Sequence, residues 1–322
     1  MKKIWTIYVL LSCPLLLVAQ QEEQFTQYMF NRPGYNPGYA GSDGGLCLTS
    51  IIRNQWIGLE GAPQSQLITV NTLLANTRVG LGGTIMRQSI GLSEKLTIEG
   101  IYAYRIPFAR GILGIGIQGS LRQFKVNFQN AIATTPIEMD GAIPGGVSSK
   151  LAPNFGMGIY YDSQSFYFGI SSPRLLNINI DHGSDDLIIS REVQHFYGMA
   201  GMSFQPVPGL KIQPQILLKI TQNSPIDADF NILLGLLEHL SVGVSLRTGG
   251  SNVSGIGESL SIMGATRITK NILIGIAWDS TLSELKNYSD GTIEIALRLS
   301  FGGASVGNNL ENVENGRIFN AY

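Results

Sequence analysis

Residues 292–301 read TIEIALRLSF, and apolar and polar side chains alternate along the whole stretch. The apolar positions are Ile293, Ile295, Leu297, Leu299 and Phe301. A period of two predicts a β-strand with one apolar and one polar face. A strand of about ten residues can cross a bilayer at a tilt. An apolar face against lipid and a face with Glu294 and Arg298 against a wet lumen are typical of a transmembrane barrel.

The same alternation recurs along the chain and predicts about 14 strands. They cover 44–53, 66–74, 78–89, 95–106, 111–124, 153–162, 164–170, 196–206, 211–221, 227–236, 239–247, 259–267, 271–279 and 292–301. The predicted fold class is all-β, an antiparallel transmembrane β-barrel with an N-terminal periplasmic leader and a short C-terminal tail. An even strand number puts both termini in the periplasm. A soluble sandwich has the same period, but strand length, low charge and the N-terminus favour the membrane.

The N-terminus predicts export. Lys2 and Lys3 precede an apolar run that ends near Ala19, and polar residues follow at once. This is the layout of a secretory signal peptide, assigned to residues 1–19. A lipoprotein signal ending at Cys13 is the alternative, and the apolar residues that continue after it disfavour that reading. After Ala19 no apolar stretch approaches 18 residues, so only a barrel could hold the mature chain in a membrane.

Composition excludes one class of partner. Charged residues make up 14% of the 322 residues, against about 25% in soluble domains. The formal net charge is -1, and no basic block is present, so a nucleic-acid partner is not expected. Once a signal peptide containing Cys13 is removed, Cys47 is alone, and it is expected to pack on a strand face.

Two segments fall outside the predicted barrel of residues 44–301. Residues 20–43 form a polar leader containing aromatic side chains. It is expected either to fold back and plug the lumen or cap the periplasmic rim, or to dock another periplasmic or envelope component. Residues 302–322 form a polar tail, expected in the periplasm, whose contacts would concentrate at Arg317, Phe319 and Tyr322.

Motifs that suggest chemistry fail on context. Gly114, Gly116 and Gly119 match a dinucleotide fingerprint, but they lie inside a predicted strand with no helix after them. A nucleophile-elbow match around Ser305 has no histidine after it. The three histidines show no metal-ligand spacing. The sequence therefore predicts no enzyme, no cofactor and no metal site.

The leader carries the resemblance to a known family. It reads QFTQYMFN at 24–31 and NPGYAG at 36–41, and RNQW follows at 53–56. This run resembles the start of PorP/SprF proteins, membrane components of the type IX secretion system. The C-terminal third is similar too, in QPQ at 213–215, Trp278-Asp279 and SDGTIEI at 289–295. Gly38 and Thr26 depart from the family's usual residues, and so does the tail.

The resemblance implies a non-enzymatic outer-membrane protein of the secretion and gliding machinery. Its expected partners are a large secreted adhesin with a C-terminal sorting domain, other envelope components of the machinery, and outer-membrane lipid. The expected partner-binding residues are Phe25, Tyr28, Phe30, Asn31, Asn36, Pro37, Tyr39, Arg53, Trp56, Arg317, Phe319 and Tyr322. A small-solute porin is the alternative, and an outer-membrane lipase is a third reading.

Overall fold

The computed structural model describes residues 22–75, 77–130, 146–180, 191–222, 224–236, 239–249 and 258–301. These residues form antiparallel strands. They are β1 (Leu46–Asn54), β2 (Gln64–Leu73), β3 (Val79–Ile90), β4 (Ser93–Phe108), β5 (Gly111–Asn127), β6 (Val147–Ser163), β7 (Phe166–Arg174), β8 (Ile178–Asn179), β9 (Arg191–Glu192), β10 (His195–Met202), β11 (Phe204–Val207), β12 (Leu210–Thr221), β13 (Asp227–Leu236), β14 (Leu240–Thr248), β15 (Ser259–Thr269), β16 (Ile272–Thr281) and β17 (Thr292–Phe301). Among these residues no helix has both the length and the apolar character needed to cross a membrane.

Fourteen of the strands close into a barrel, as predicted. β1 pairs with β17 from Leu46 opposite Phe301 to Asn54 opposite Ile293, and β10 pairs with both β7 and β12. Closure matters because an open sheet edge cannot be tolerated in lipid. The short β11 continues the line of β10 after Ser203, while β8 and β9 form a separate two-stranded hairpin.

The two faces of the wall follow the sequence pattern. On β17, Ile295 is 46% exposed, whereas Glu294 is 0% exposed and Arg298 is also buried. Because side chains alternate across a strand, apolar residues face outward to lipid and charged residues face the lumen. The predicted register of this strand is confirmed.

The two ends of the barrel differ in their connections. At the end where β1 begins and β17 ends, the turns span five residues or fewer, at 74–78, 109–110, 164–165, 208–209, 237–239 and 270–271. The opposite end carries the long connections, at 55–63, 128–146, 175–194, 249–258 and 282–291, together with two short ones at 91–92 and 222–226. Short turns are typical of the periplasmic side and long loops of the cell exterior.

Three details differ from the sequence prediction. β6 begins at Val147, six residues before the predicted start at 153, because it continues beyond its neighbour β7. The β8–β9 hairpin lies within the predicted loop 171–195. β7 runs to Arg174, four residues past its predicted end at 170, and Tyr160 of the neighbouring β6 faces inward and packs on Tyr39 and Tyr167.

Candidate functional site

The leader lies inside the barrel. Residues Phe25 to Pro33 and Tyr35 to Ser42 are buried, and three short 3-10 turns shape the segment, at Tyr28–Phe30, Arg32–Gly34 and Pro37–Tyr39. Proline and glycine recur too often here for an α-helix. The Asn36 side chain instead accepts a hydrogen bond from the Gly38 backbone N–H at 2.8 Å and fixes a tight turn.

The leader runs through the lumen from the outer end to the periplasmic end. Glu22 contacts Arg122 and Arg174, which lie at the long-loop ends of β5 and β7. Asp43 pairs with Arg298, near the short-turn end of β17. The start of β1 and the end of β17 do lie at the periplasmic end, but the leader folds back from β1. Glu22 therefore lies at the long-loop end of the barrel, and Asp43 lies at the short-turn end.

A carboxylate pair holds the outer half of the leader. Glu294 accepts the backbone N–H groups of Thr26 and Gln27 at 2.9 and 2.8 Å. Arg53 binds Glu294 at 2.9 Å and Asp279 at 2.7 Å, and Asp279 in turn accepts from the Thr26 hydroxyl at 2.8 Å. All of these groups are buried. A buried charge is tolerated when it is paired and hydrogen-bonded. This network therefore fixes the position of the leader against the inner face of β1, β16 and β17.

Aromatic rings fill the middle of the lumen. Tyr28 and Tyr35 meet edge to face at 6.0 Å between centroids, and Tyr35 meets Tyr197 of the wall at 5.5 Å in the same geometry. Burial raises the pKa of the Tyr28 and Tyr35 hydroxyls well above the usual range, so both rings stay neutral.

Arg32 places a cation among these rings. Its guanidinium lies 4.3 Å from the ring centroid of Tyr167 and 5.7 Å from that of Tyr39. It also donates to the Tyr160 hydroxyl at 3.4 Å. Edge-to-face pairs and cation–π contacts contribute about 0.5–2 kcal/mol each when desolvated. The leader thus brings its own positive charge into the centre of the lumen and packs it on wall tyrosines.

Wall glycines allow the Asn36–Gly38 turn to approach the sheet. A Cβ on Gly38 would lie 2.8 Å from the Gly114 carbonyl, and a Cβ on Gly114, Gly116 or Gly158 would collide with the turn. The Asn36 amide donates to the backbone carbonyls of Ile159 and Ile170 at 3.0 and 3.3 Å. Two of the glycines that mimic a dinucleotide motif, Gly114 and Gly116, therefore form a surface on which the leader packs. Together with Gly158 they are called the glycine floor.

A third set of contacts holds the periplasmic end. The Gly41 N–H donates to the Asn71 side chain at 2.6 Å, and Tyr39 donates to Asp43 at 3.0 Å. Arg298 reaches both Asp43 and the sulfur of Cys47, whose distance to the guanidinium Nε is 3.1 Å. Cys47 is buried and faces this cluster.

Ion pairs close the outer end. Glu22 binds Arg122 at 2.9 Å and Arg174 at 3.0 Å, while Glu23 pairs with Lys95. Burial alone would raise the pKa of the Glu22 carboxyl, but the two arginines outweigh it and hold that pKa well below the usual range. The leader therefore stays charged and paired here near neutral pH.

The space left around the leader is small. A cavity of about 260 Å³ lies at the outer mouth, between the start of β4, the end of β5 and the β8–β9 hairpin. Two cavities beside the leader measure about 30 and 20 Å³. No group of His, Cys, Asp and Glu in the described ranges could hold a metal ion. At the edge of the outer cavity, the Nδ1 atom of His195 lies 2.9 Å from the Val193 carbonyl oxygen.

The predicted partner-binding residues fall into three groups. The leader members and Arg53 come together in the lumen: Phe25, Tyr28, Phe30, Asn31, Asn36, Pro37, Tyr39 and Arg53. Trp56 lies apart, in the outer loop after β1, where its backbone N–H donates to the Thr292 hydroxyl at 3.2 Å. Arg317, Phe319 and Tyr322 lie outside the described residues. Partner binding by these residues stays a prediction.

Sequence reasoning missed the residues that receive the leader. Asp279 and the glycine floor gave no signal of their own, since a lumen-facing acid or glycine looks the same whether the lumen is wet or filled. Glu294 was placed in the lumen but without a partner. The available signal was the set of aromatic side chains in the leader, because exposed aromatic residues usually pack on another surface.

The sequence profile of the family described as type IX secretion system membrane protein PorP/SprF matches residues 17–299. That span covers most of the chain, including the leader and almost all of the barrel. The chain belongs to the PorP/SprF family. With its barrel fold, membership places it in the outer membrane and in the type IX secretion machinery. Among curated proteins, none matches significantly.

Solved structures with a similar fold are outer-membrane barrels. The Ralstonia pickettii toluene transporter TbuX matches with a TM-score of 0.50 and 11% identity, over 86% of this chain and 94% of its own. The monoaromatic hydrocarbon channel CymD matches with a TM-score of 0.51 and 9% identity, over 88% of this chain and 95% of its own. At such low identity the likeness of this PorP/SprF protein to the two barrels shows a shared fold alone.

Proposed function

We propose that this protein is a non-enzymatic barrel that helps export a large secreted adhesin or holds it at the cell surface. The adhesin would carry a C-terminal sorting domain, and other envelope components of the machinery would act with it. Membership of the PorP/SprF family supports the secretion role. The observation that carries the mode of action is the leader, which occupies the lumen from Glu22 to Asp43.

A filled lumen favours a binding role over transport. The leader is held by buried ion pairs at its outer end, by Glu294 and Asp279, and by Arg298 at the periplasmic end. Releasing it would leave several buried charges without partners, which is costly. A barrel closed in this way offers its rims and loops to partners rather than a path to solutes.

The porin reading remains the second candidate. TbuX is described as a toluene transporter and CymD as a monoaromatic hydrocarbon channel. A solute channel of this fold would require the leader to leave or to shift. The cavity of about 260 Å³ at the outer mouth is the one described space that favours this reading.

The absence of catalysis is part of the proposal. A barrel lipase needs a serine activated by a nearby histidine. The ring of His195 lies beside the Val193 carbonyl and stacks on Tyr197, a setting suited to packing. We expect the purified barrel to hydrolyse no acyl ester.

A surface proteome tests the proposal. The gene is deleted, and large secreted proteins with sorting domains are quantified on intact cells and in the medium. We expect at least one of them to fall on the surface and to accumulate in the medium or inside the cell, with recovery on complementation. An unchanged surface proteome together with lost uptake of a small hydrophobic solute would favour the porin.

A further inference from the structure

The first residues of β6, at 147–153, form a sheet edge at the outer end of the barrel. β6 pairs with β5 along its whole length, from Val147 opposite Asn127 to Ser163 opposite Gly111. On its other side it pairs with β7 only from Met157 to Asp162. The last bond on that side joins the Leu175 N–H to the Phe155 carbonyl at 2.8 Å. Residues 147–153 therefore extend past β7 towards the cell exterior.

The direction of the backbone groups follows from this last bond. In an antiparallel ladder, alternate residues point both backbone groups to the same side. The register with β5 is unbroken, and the Phe155 carbonyl points to the β7 side, so Pro153, Leu151, Ser149 and Val147 point that way too. Proline has no N–H. Within the described ranges, the N–H groups of the other three donate no backbone hydrogen bond on this side, and their carbonyl groups accept none.

The side chains around this edge favour one kind of strand. Val147 and Leu151 are exposed on the outer face, Leu151 by 63%. Ser148 and Lys150 are the inward-facing residues between them, and Lys150 is the charged one. Two copies of this edge would bring their Lys150 side chains onto one face, so self-pairing is disfavoured. An extended segment with apolar residues on its outer face and an acidic residue opposite Lys150 is complementary.

We propose that residues 147–151 of β6 form a docking edge for one extended strand of the secreted protein. The added strand would receive main-chain hydrogen bonds from Val147, Ser149 and Leu151, the mode of binding known as strand addition. Pro153 ends the available ladder and so fixes its register. This inference rests on the proposed function and names the surface through which it would act.

The test uses the barrel in nanodiscs and purified C-terminal sorting domains of proteins secreted by the same cell. Leu151→Pro removes the N–H that points to the free edge. Pro153 shows that the same edge accepts proline. Leu151→Ala keeps that N–H and is the matched control. Heat-modifiable migration on a gel checks that each barrel has assembled, and Ser149→Pro replaces Leu151→Pro if the latter does not assemble.

We expect a sorting domain to bind the wild-type barrel and to slow amide exchange at 147–153. Leu151→Pro should weaken binding roughly tenfold, about the effect of one ladder hydrogen bond, while Leu151→Ala should weaken it less. Equal binding by wild type and Leu151→Pro, without protection at 147–153, overturns the docking edge but leaves the proposed function standing. Failure of every sorting domain to bind the wild-type barrel overturns both.

Discussion

Replacing Glu294 by alanine should loosen the leader from the wall. The substitution removes the carboxylate that accepts the N–H groups of Thr26 and Gln27 at 2.9 and 2.8 Å. Hydrogen bonds to a charged group contribute about 1.5–3 kcal/mol each, so two of them hold the docked leader by roughly 3–6 kcal/mol. At about 1.4 kcal/mol for each factor of ten, even the lower figure raises the undocked fraction about 100-fold.

Amide hydrogen exchange measures that fraction directly. Where local opening is fast, the exchange rate of a protected N–H follows the population of the open state. A peptide containing Thr26 and Gln27 should therefore exchange about 100-fold faster in Glu294→Ala. Glu94→Ala is the control, because Glu94 pairs with Arg87 at the outer rim. Equal exchange in Glu294→Ala and wild type, with the barrel assembled, would refute the anchoring role of Glu294.

Three further predictions concern the lipid face, pH and orientation. Leu297→Arg should destabilise the barrel by about 2–4 kcal/mol in a refolding titration, since the side chain faces lipid from the middle of β17. The pKa of Glu22 is lowered in the folded state, so its stabilisation is complete above the ordinary value of 4.5 and lost as pH falls through the folded value. Faster exchange of the leader should thus begin only below pH 4.5, and an onset near neutrality would contradict it. Glu22→Cys, which borders the cavity at the outer mouth, should react with a membrane-impermeant maleimide on intact cells; labelling only after the outer membrane is opened would reverse the assigned direction of the leader.

The barrel could be predicted because each wall position has one of two environments. Ile295 and Glu294 lie on opposite faces of β17. Because one face of the wall contacts lipid, each membrane-spanning strand shows the same alternation of apolar and polar residues. The start of β6 was not predicted, because this contrast between the two faces is weak there. Residues Val147 to Ala152 lie beyond the end of β7, where the surroundings on the two faces differ less and the alternation weakens.

The leader marks the limit of sequence reasoning. Its aromatic side chains indicated that it packs on something, but neither the direction of the chain nor the receiving surface follows from a local pattern. Arg32 illustrates the difficulty, because its partners Tyr160 and Tyr167 lie more than a hundred residues away. Only closure of the barrel brings them together, and the Asn36–Gly38 turn and its glycine floor meet in the same way.

The most direct test of a closed, partner-binding barrel is the conductance of the purified protein in planar bilayers, with and without residues 21–41. The signal peptide is kept, so that the shortened chain is still exported. We predict that the full-length barrel conducts little and that the shortened one forms a stable open pore, because the leader fills the lumen. An equally large conductance from both proteins would contradict the plug and would make the barrel a porin.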